Sequence, residues 1–159
     1  MKVLVISDTH GNDTNFNDVW EKEKPVDYII HCGDVEGRAD YIRNKTPGPC
    51  CIVSGNCDFW GSLPPFVEFD IEGHHIFITH GHRQGVRQGF DGILRAARMH
   101  GAEIVCFGHS HVPVLEWQEG ILLCNPGSLT YPRQFSRNPS YIVLEITESQ
   151  IYGNIYEII

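Results

Sequence analysis

Apolar residues in this chain fall into short, dense runs separated by polar loops. Five runs stand out: KVLVI (2–6), YIIHC (28–32), CIVS (51–54), HIFIT (75–79) and EIVCF (103–107). Each is four or five residues long and rich in Val and Ile, which predicts strands buried on both faces. Helical spacing lies between them. Residues 13–23 (DTNFNDVWEKE) put Phe16, Val19 and Trp20 on one face, with Asn12 or Asp13 as cap and Pro25 as limit. Residues 36–44 allow a short helix before the TPGP turn at 46–49. The stretch 88–100 spaces Phe90, Ile93, Leu94 and Ala97 helically before Gly101.

The second half reads differently. FVEFDI, the turn Glu72-Gly73 and HHIFIT form a hairpin pattern, and VPVLEW, Gln118-Glu119-Gly120 and ILLCN form another. YIVLEIT and IYGNIYEII give a last antiparallel pair. Strand–helix alternation followed by antiparallel strands predicts an α/β fold: two mixed β-sheets packed as a sandwich and flanked by helices. No linker or repeat interrupts residues 1–159, so a single domain is expected.

Composition narrows the function only in part. Apolar content of 42% and charged content of 20% suit a water-soluble globular chain. The net charge of −8, with no Lys/Arg cluster, argues against an extensive nucleic-acid surface. MKVLVISDTH leaves no room for a signal peptide, and no stretch approaches the ~20 apolar residues of a membrane span. Six cysteines (32, 50, 51, 57, 106, 124) form no CxxC pair, and a disulfide framework is the poorer reading. A cytoplasmic location follows as the expectation.

Seven candidate metal ligands each stand just after one of the five apolar runs: Asp8, His10, Asp34, Asn56, His80, His109 and His111. In an open α/β sheet, ligands gather beyond the carboxyl ends of the strands. Each group alone is weak, since Asp, His and Gly-Asn are common in turns. Gly108-His109-Ser110-His111 is stronger, because alternate residues of an extended loop approach one point from neighbouring directions. Ser7, Ser54 and Ser128 lack an evident His–acid relay, so no protein nucleophile is suggested.

The order DxH, GD, GNxD, HGH, GHxH, each behind a strand, resembles the calcineurin-like metallophosphoesterases along almost the whole chain. The small size, Gly55-Asn56-Cys57-Asp58 and Asn125-Pro126-Gly127-Ser128 look most like the compact YfcE-type phosphodiesterases. The resemblance implies two divalent metals, one held by Asp8, His10, Asp34 and His111. The other is held by Asn56, His80 and His109, with Asp34 bridging. Imidazole, carboxylate and amide ligands suit Mn2+ foremost, with Ni2+, Zn2+, Fe2+ or Co2+ as alternatives. Two such ions against two carboxylates, bridged by a hydroxide, leave a centre of about +1, matched to a phosphodiester.

Many relatives carry a histidine after GN, thought to protonate the leaving group; this chain has Cys57. Asp58 and His82 are therefore the candidate catalytic residues, Asp58 by orienting His10 or another ligand and His82 as a replacement proton donor. Cys57 and Asn125 are candidates for the substrate side. Arg83, Arg87 and Arg133 are candidates for contact with phosphate, and Trp60, Phe66, Tyr131 and Phe135 for stacking. The implied function is hydrolysis of small phosphodiesters, with a phosphomonoesterase or nucleotide phosphatase as alternative. A further alternative is a non-catalytic scaffold like the retromer subunit of the same fold. A single-strand nuclease is disfavoured by the acidic balance. The implied partner is a small phosphoester, with a homodimer ahead of a monomer.

Overall fold

A computed structural model describes residues 1–159. Strands β1 (Lys2–Ile6), β2 (Tyr28–His31) and β3 (Cys50–Ile52) lie side by side and parallel. On its other edge β1 pairs antiparallel with β9 (Ser140–Thr147), which pairs with β10 (Gln150–Glu157). The second sheet holds β4 (Phe66–Ile71), β5 (His74–Thr79), β6 (Ile104–Cys106), β7 (Val114–Gln118) and β8 (Ile121–Asn125). Its order is β4-β5-β6-β8-β7, with β5, β6 and β8 parallel to one another. Helices α1 (Thr14–Glu23) and α2 (Ala39–Lys45) follow β1 and β2, and α3 (Asp91–Met99) precedes β6. The expected sandwich of two mixed sheets between helices is the observed architecture.

The unbroken apolar runs follow from this layering. Alternate residues of one strand face opposite ways, and here both ways lead to apolar layers. Val3, Val5 and Ile142 meet Ile76, Ile78 and Ile104 between the sheets. Leu4 and Ile6 pack beneath Phe16, Val19 and Ile42 of α1 and α2. Val105 and Leu123 pack beneath Ile93, Leu94 and Ala97 of α3. Each such side chain, fully buried, contributes roughly 1.5–3 kcal/mol against exposure.

Several boundaries differ from the pattern-based expectation. Helix α2 begins at Ala39, not 36, because Glu36 (φ 45°) and Gly37 (φ 79°) turn through the left-handed region. Helix α3 begins at Asp91, not 88, because Gly89 (φ 149°) breaks the helical path. Strand β3 ends at Ile52, and Ser54 N–H then turns to Pro64 O at 2.8 Å. Asp13 precedes α1 without capping it by its side chain. Its carboxylate pairs with Arg38 instead, while Asn12 Oδ1 accepts from Thr14 N–H at 3.0 Å.

Parallel strands share a direction, so β1, β2 and β3 all end on one edge, as do β5, β6 and β8. The two edges meet. Asp8 N–H donates to Gly33 O (3.0 Å) and Gly108 N–H to His80 O (2.9 Å), stitching the loops within each sheet. His109 N–H crosses between sheets to Asp8 Oδ2 at 3.1 Å.

Candidate metal centre

Both aspartates at this edge are tied by one oxygen and leave the other free. Asp8 Oδ2 accepts from Ser7 Oγ–H (2.6 Å) and His109 N–H, while Oδ1 is buried with no hydrogen-bond partner. Asp34 Oδ1 accepts from Cys57 N–H at 2.8 Å, and Oδ2 faces His80 Nε2 at 3.3 Å. Burial by itself would raise both carboxyl pKa values. For Asp8, His111 and His80 outweigh burial; for Asp34, His80 and the Cys57 amide do so, and both stay below the ordinary range.

Three histidines are oriented by carbonyl or carboxylate acceptors at Nδ1. His80 Nδ1–H donates to Cys32 O (2.7 Å), His111 Nδ1–H to Tyr131 O (2.7 Å) and His10 Nδ1–H to Glu36 Oε1 (2.6 Å). A neutral ring with its proton on Nδ1 presents a bare lone pair at Nε2. Those lone pairs converge on other acceptors. His111 Nε2 lies 2.9 Å from Asp8 Oδ1 and 3.3 Å from His10 Nε2. His80 Nε2 lies 3.0 Å from Asn56 Oδ1 as well as beside Asp34. Clustered acceptors repel unless a cation sits among them, so the donor set fits metal ions. Burial lowers the His80 pKa, but the hydrogen bond to Asp34 and the charges of Asp8 and Asp34 outweigh it and raise it above the ordinary value.

The backbone is bent to make this cluster. Asp8, His10, Asp34, His109 and His111 all have positive φ, between 46° and 67°, at a cost of about 1–3 kcal/mol each. Two close approaches require glycine. A Cβ on Gly55 would stand 2.0 Å from Asp34 Oδ1, and one on Gly108 would stand 2.1 Å from Ser7 Oγ.

Asp8, His10 and His111 form one group with ligand atoms within 4.8 Å of one another, and Asp8, Asp34 and His80 form another. Asn56 joins the second through His80. His109 meets the His80 ring edge-on, with centroids 5.2 Å apart. Burial, and then the neighbouring His80, lower its pKa to about 4, so it is a neutral imidazole at neutral pH. His82 stands farther out, 5.4 Å from the His80 ring and 6.0 Å from that of His109.

Asp58 holds a candidate ligand, Asp34, through its backbone, whereas Asn125 sits elsewhere than expected. The Asp58 carboxylate accepts from Gly55 N–H and Asp34 N–H (both 2.8 Å) and Glu36 N–H (2.7 Å), so it fixes backbone and does not reach His10. Asn125 is fully buried. Its amide donates to Gly108 O (3.1 Å) and Ser110 Oγ (3.0 Å), so it braces the His109–His111 loop from within the fold. Phe66 belongs to β4 and packs on Phe77. Arg87 donates to His109 O at 3.3 Å. The Arg133 backbone amide, and not its guanidinium, bonds His111 O. Nothing brings Arg83 to the cluster. Tyr131 lies 5.1 Å from the His10 ring; Phe135 is fully exposed.

The sequence pattern did not reveal three supporting residues. Glu36 orients His10. Ser128 Oγ–H donates to Asp8 O at 2.8 Å and accepts from Tyr131 N–H at 2.8 Å. His31 lies beneath the centre, accepting from Gly33 N–H at Nδ1 (3.1 Å) and facing Thr9 Oγ1 with Nε2–H (3.0 Å).

Comparison with known proteins agrees with the fold. The model of the calcineurin-like phosphoesterase superfamily domain matches residues 1–149. The probable metallophosphoesterase YsnB of Bacillus subtilis is 35% identical over 99% of this chain and 91% of its own. Phosphodiesterase YfcE of Escherichia coli is 27% identical over 84% and 82%. A predicted phosphoesterase of Streptococcus pneumoniae superposes with a TM-score of 0.86 at 30% identity, covering 98% of this chain and 88% of its own. Zinc-complexed Vps29 of Entamoeba histolytica shares the fold at 23% identity, with a TM-score of 0.83 over 99% and 92%. The fold is that of a metallophosphoesterase. The chain belongs to the calcineurin-like phosphoesterase superfamily, with YfcE-type phosphodiesterases among its relatives.

Proposed function

We propose that the protein is a metal-dependent phosphodiesterase of small phosphodiesters. The carrying observation is the buried, unpartnered Asp8 Oδ1, ringed by imidazole lone pairs that face it instead of donating to it. In this reading Asp8, His10, His111 and Asp34 hold one divalent ion, and Asn56, His80, His109 and Asp34 hold the other. When bound, such ions supply charge to a phosphoryl oxygen and lower the pKa of an attacking water. The protein's own groups orient and insulate. Glu36, Tyr131 O and Cys32 O fix the imidazoles, and Asp58 fixes the Asp34 and Gly55 backbone.

Cys57 tunes the reading toward reactive diesters. Burial, and then the charge of Asp34, push its thiol up to about 11, so at neutral pH it is an uncharged and weak acid. Burial and His80 lower the pKa of His82, so less of it carries a proton to donate. Leaving groups that need little protonation, such as phenolates, therefore suit the site.

Activity on bis(4-nitrophenyl) phosphate and 4-nitrophenyl phosphate, with Mn2+, Ni2+ or Zn2+ supplied, tests the proposal. The diester is expected to turn over faster, with Asp34→Asn and His109→Ala each reducing kcat/KM by about 100-fold or more. Faster monoester turnover would make the protein a phosphomonoesterase. No turnover of either ester with any metal would favour the scaffold reading that the Vps29 fold allows.

A further inference from the structure

Beside the metal centre lies a cavity of about 400 Å³, lined by Glu36, Gly37, Cys57, Asp58, Phe59 and Trp60. Two contacts join it to the centre: His10 Nδ1 to Glu36 Oε1 at 2.6 Å, and Cys57 N–H to Asp34 Oδ1 at 2.8 Å. Its wall is aromatic and bare. Phe59 is 78% exposed and Trp60 90% exposed, and neither packs on another ring or cation. Trp60 also borders a second hollow with Val35, Arg43 and Leu63, so it stands as a partition between two clefts. Large rings held in water contribute nothing to a core, and adjacent exposed rings mark contact sites.

The loop that carries them is fixed at its root. Asp58 accepts three backbone N–H groups, and Ser54 N–H bonds Pro64 O across the loop's base. The cavity's charged groups are carboxylates, Glu36 and Asp58, with no Lys or Arg among its lining. A second phosphate there would meet like charge, whereas an uncharged ring would not. A planar ring can lie on Trp60 and Phe59 while its ester phosphate reaches the centre beyond Glu36 and Cys57.

We infer that this cavity is a subsite for an uncharged, planar aromatic ester group, with Phe59 and Trp60 setting the preference for it. The inference rests on the phosphodiesterase reading and deepens it. Nucleosides and simple aryl alcohols both carry such a ring, and neither adds charge beyond the single phosphodiester anion. Polyphosphates and nucleotides with a further phosphate on that side are disfavoured.

The test is binding, without turnover. Isothermal titration of the Mn2+-loaded protein would use three singly charged methylphosphonate monoesters: phenyl, adenosine 5′- and n-butyl. Stacking on an exposed ring predicts roughly ten-fold tighter binding of the phenyl and adenosine esters than of the butyl ester. Phe59→Ala/Trp60→Ala should abolish that preference and leave butyl affinity and melting temperature unchanged; Trp60→Phe should retain most of it. A tighter adenosine ester assigns the subsite to nucleosides, and equal binding assigns it to aryl groups. A preference that survives in the double variant, or is absent from the wild type, overturns the inference. Turnover of bis(4-nitrophenyl) phosphate without the preference overturns the subsite alone; the preference without turnover overturns the enzymatic reading alone.

Discussion

Glu36 turns into the left-handed region at φ 45° and thereby brings its carboxylate to His10 Nδ1. A carboxylate behind a ligating imidazole sets its orientation and raises its basicity, and removing one costs 10–100-fold in metal affinity. Glu36→Gln is therefore expected to weaken the weaker of two Mn2+ binding steps by about ten-fold in calorimetric titration. Unchanged affinities would show that the contact does nothing for the centre. The candidate ligands were legible in the sequence because each follows a short apolar run, and strand direction alone carries them to one edge. Glu36 was not, since two residues after Asp34 its side chain could point anywhere until the backbone at 36–37 is known. Asp58 was legible as a group that orients a ligand; that the ligand is Asp34, held by its amide, depends on three amides converging on one carboxylate.

Strand β8 shows the same limit at the scale of an element. Its apolar run ILLC and its hairpin partner were readable, and Asn125 at its end fell in line with the other strand-end polar groups. Its neighbours decided otherwise. β8 lies beside β6, so Asn125 meets Gly108 and Ser110 and closes the histidine loop from below. Asn125→Ala leaves a buried carbonyl and a hydroxyl without their donor, which costs about 1–3 kcal/mol. The expected signature is a lower melting temperature and weaker metal binding, with KM for a diester little changed in metal-saturated enzyme. A large rise in KM alone would restore Asn125 to the substrate side. The starts of α2 and α3, each missed by three residues, share one cause: positive-φ turns at 36–37 and 89 that periodicity does not register.

For the whole molecule we take residues 1–159 to unfold as one unit, because the two sheets share a single apolar interior. Its stability carries a pH signature. Burial lowers the His31 pKa to about 4 from the ordinary 6.5, so the folded state holds this imidazole neutral. As pH falls from 6.5 toward 4 the unfolded chain binds a proton that the folded chain refuses, and stability is lost across that window. The loss reaches about 3 kcal/mol at most. Urea midpoints of the metal-free protein should fall through this range, and His31→Leu should flatten the slope. A slope equal to wild type would assign the pH dependence to other groups.

The central claim is that the facing lone pairs of Asp8, His10, His111, Asp34, His80 and Asn56 exist to hold metal. Equilibrium dialysis against Mn2+ with elemental analysis tests it directly, by counting ions per chain at saturation. The expected result is two ions per chain in the wild type, with Asp34→Asn retaining at most one. A wild-type protein that retains none, or an Asp34→Asn variant that still retains two, would contradict the account.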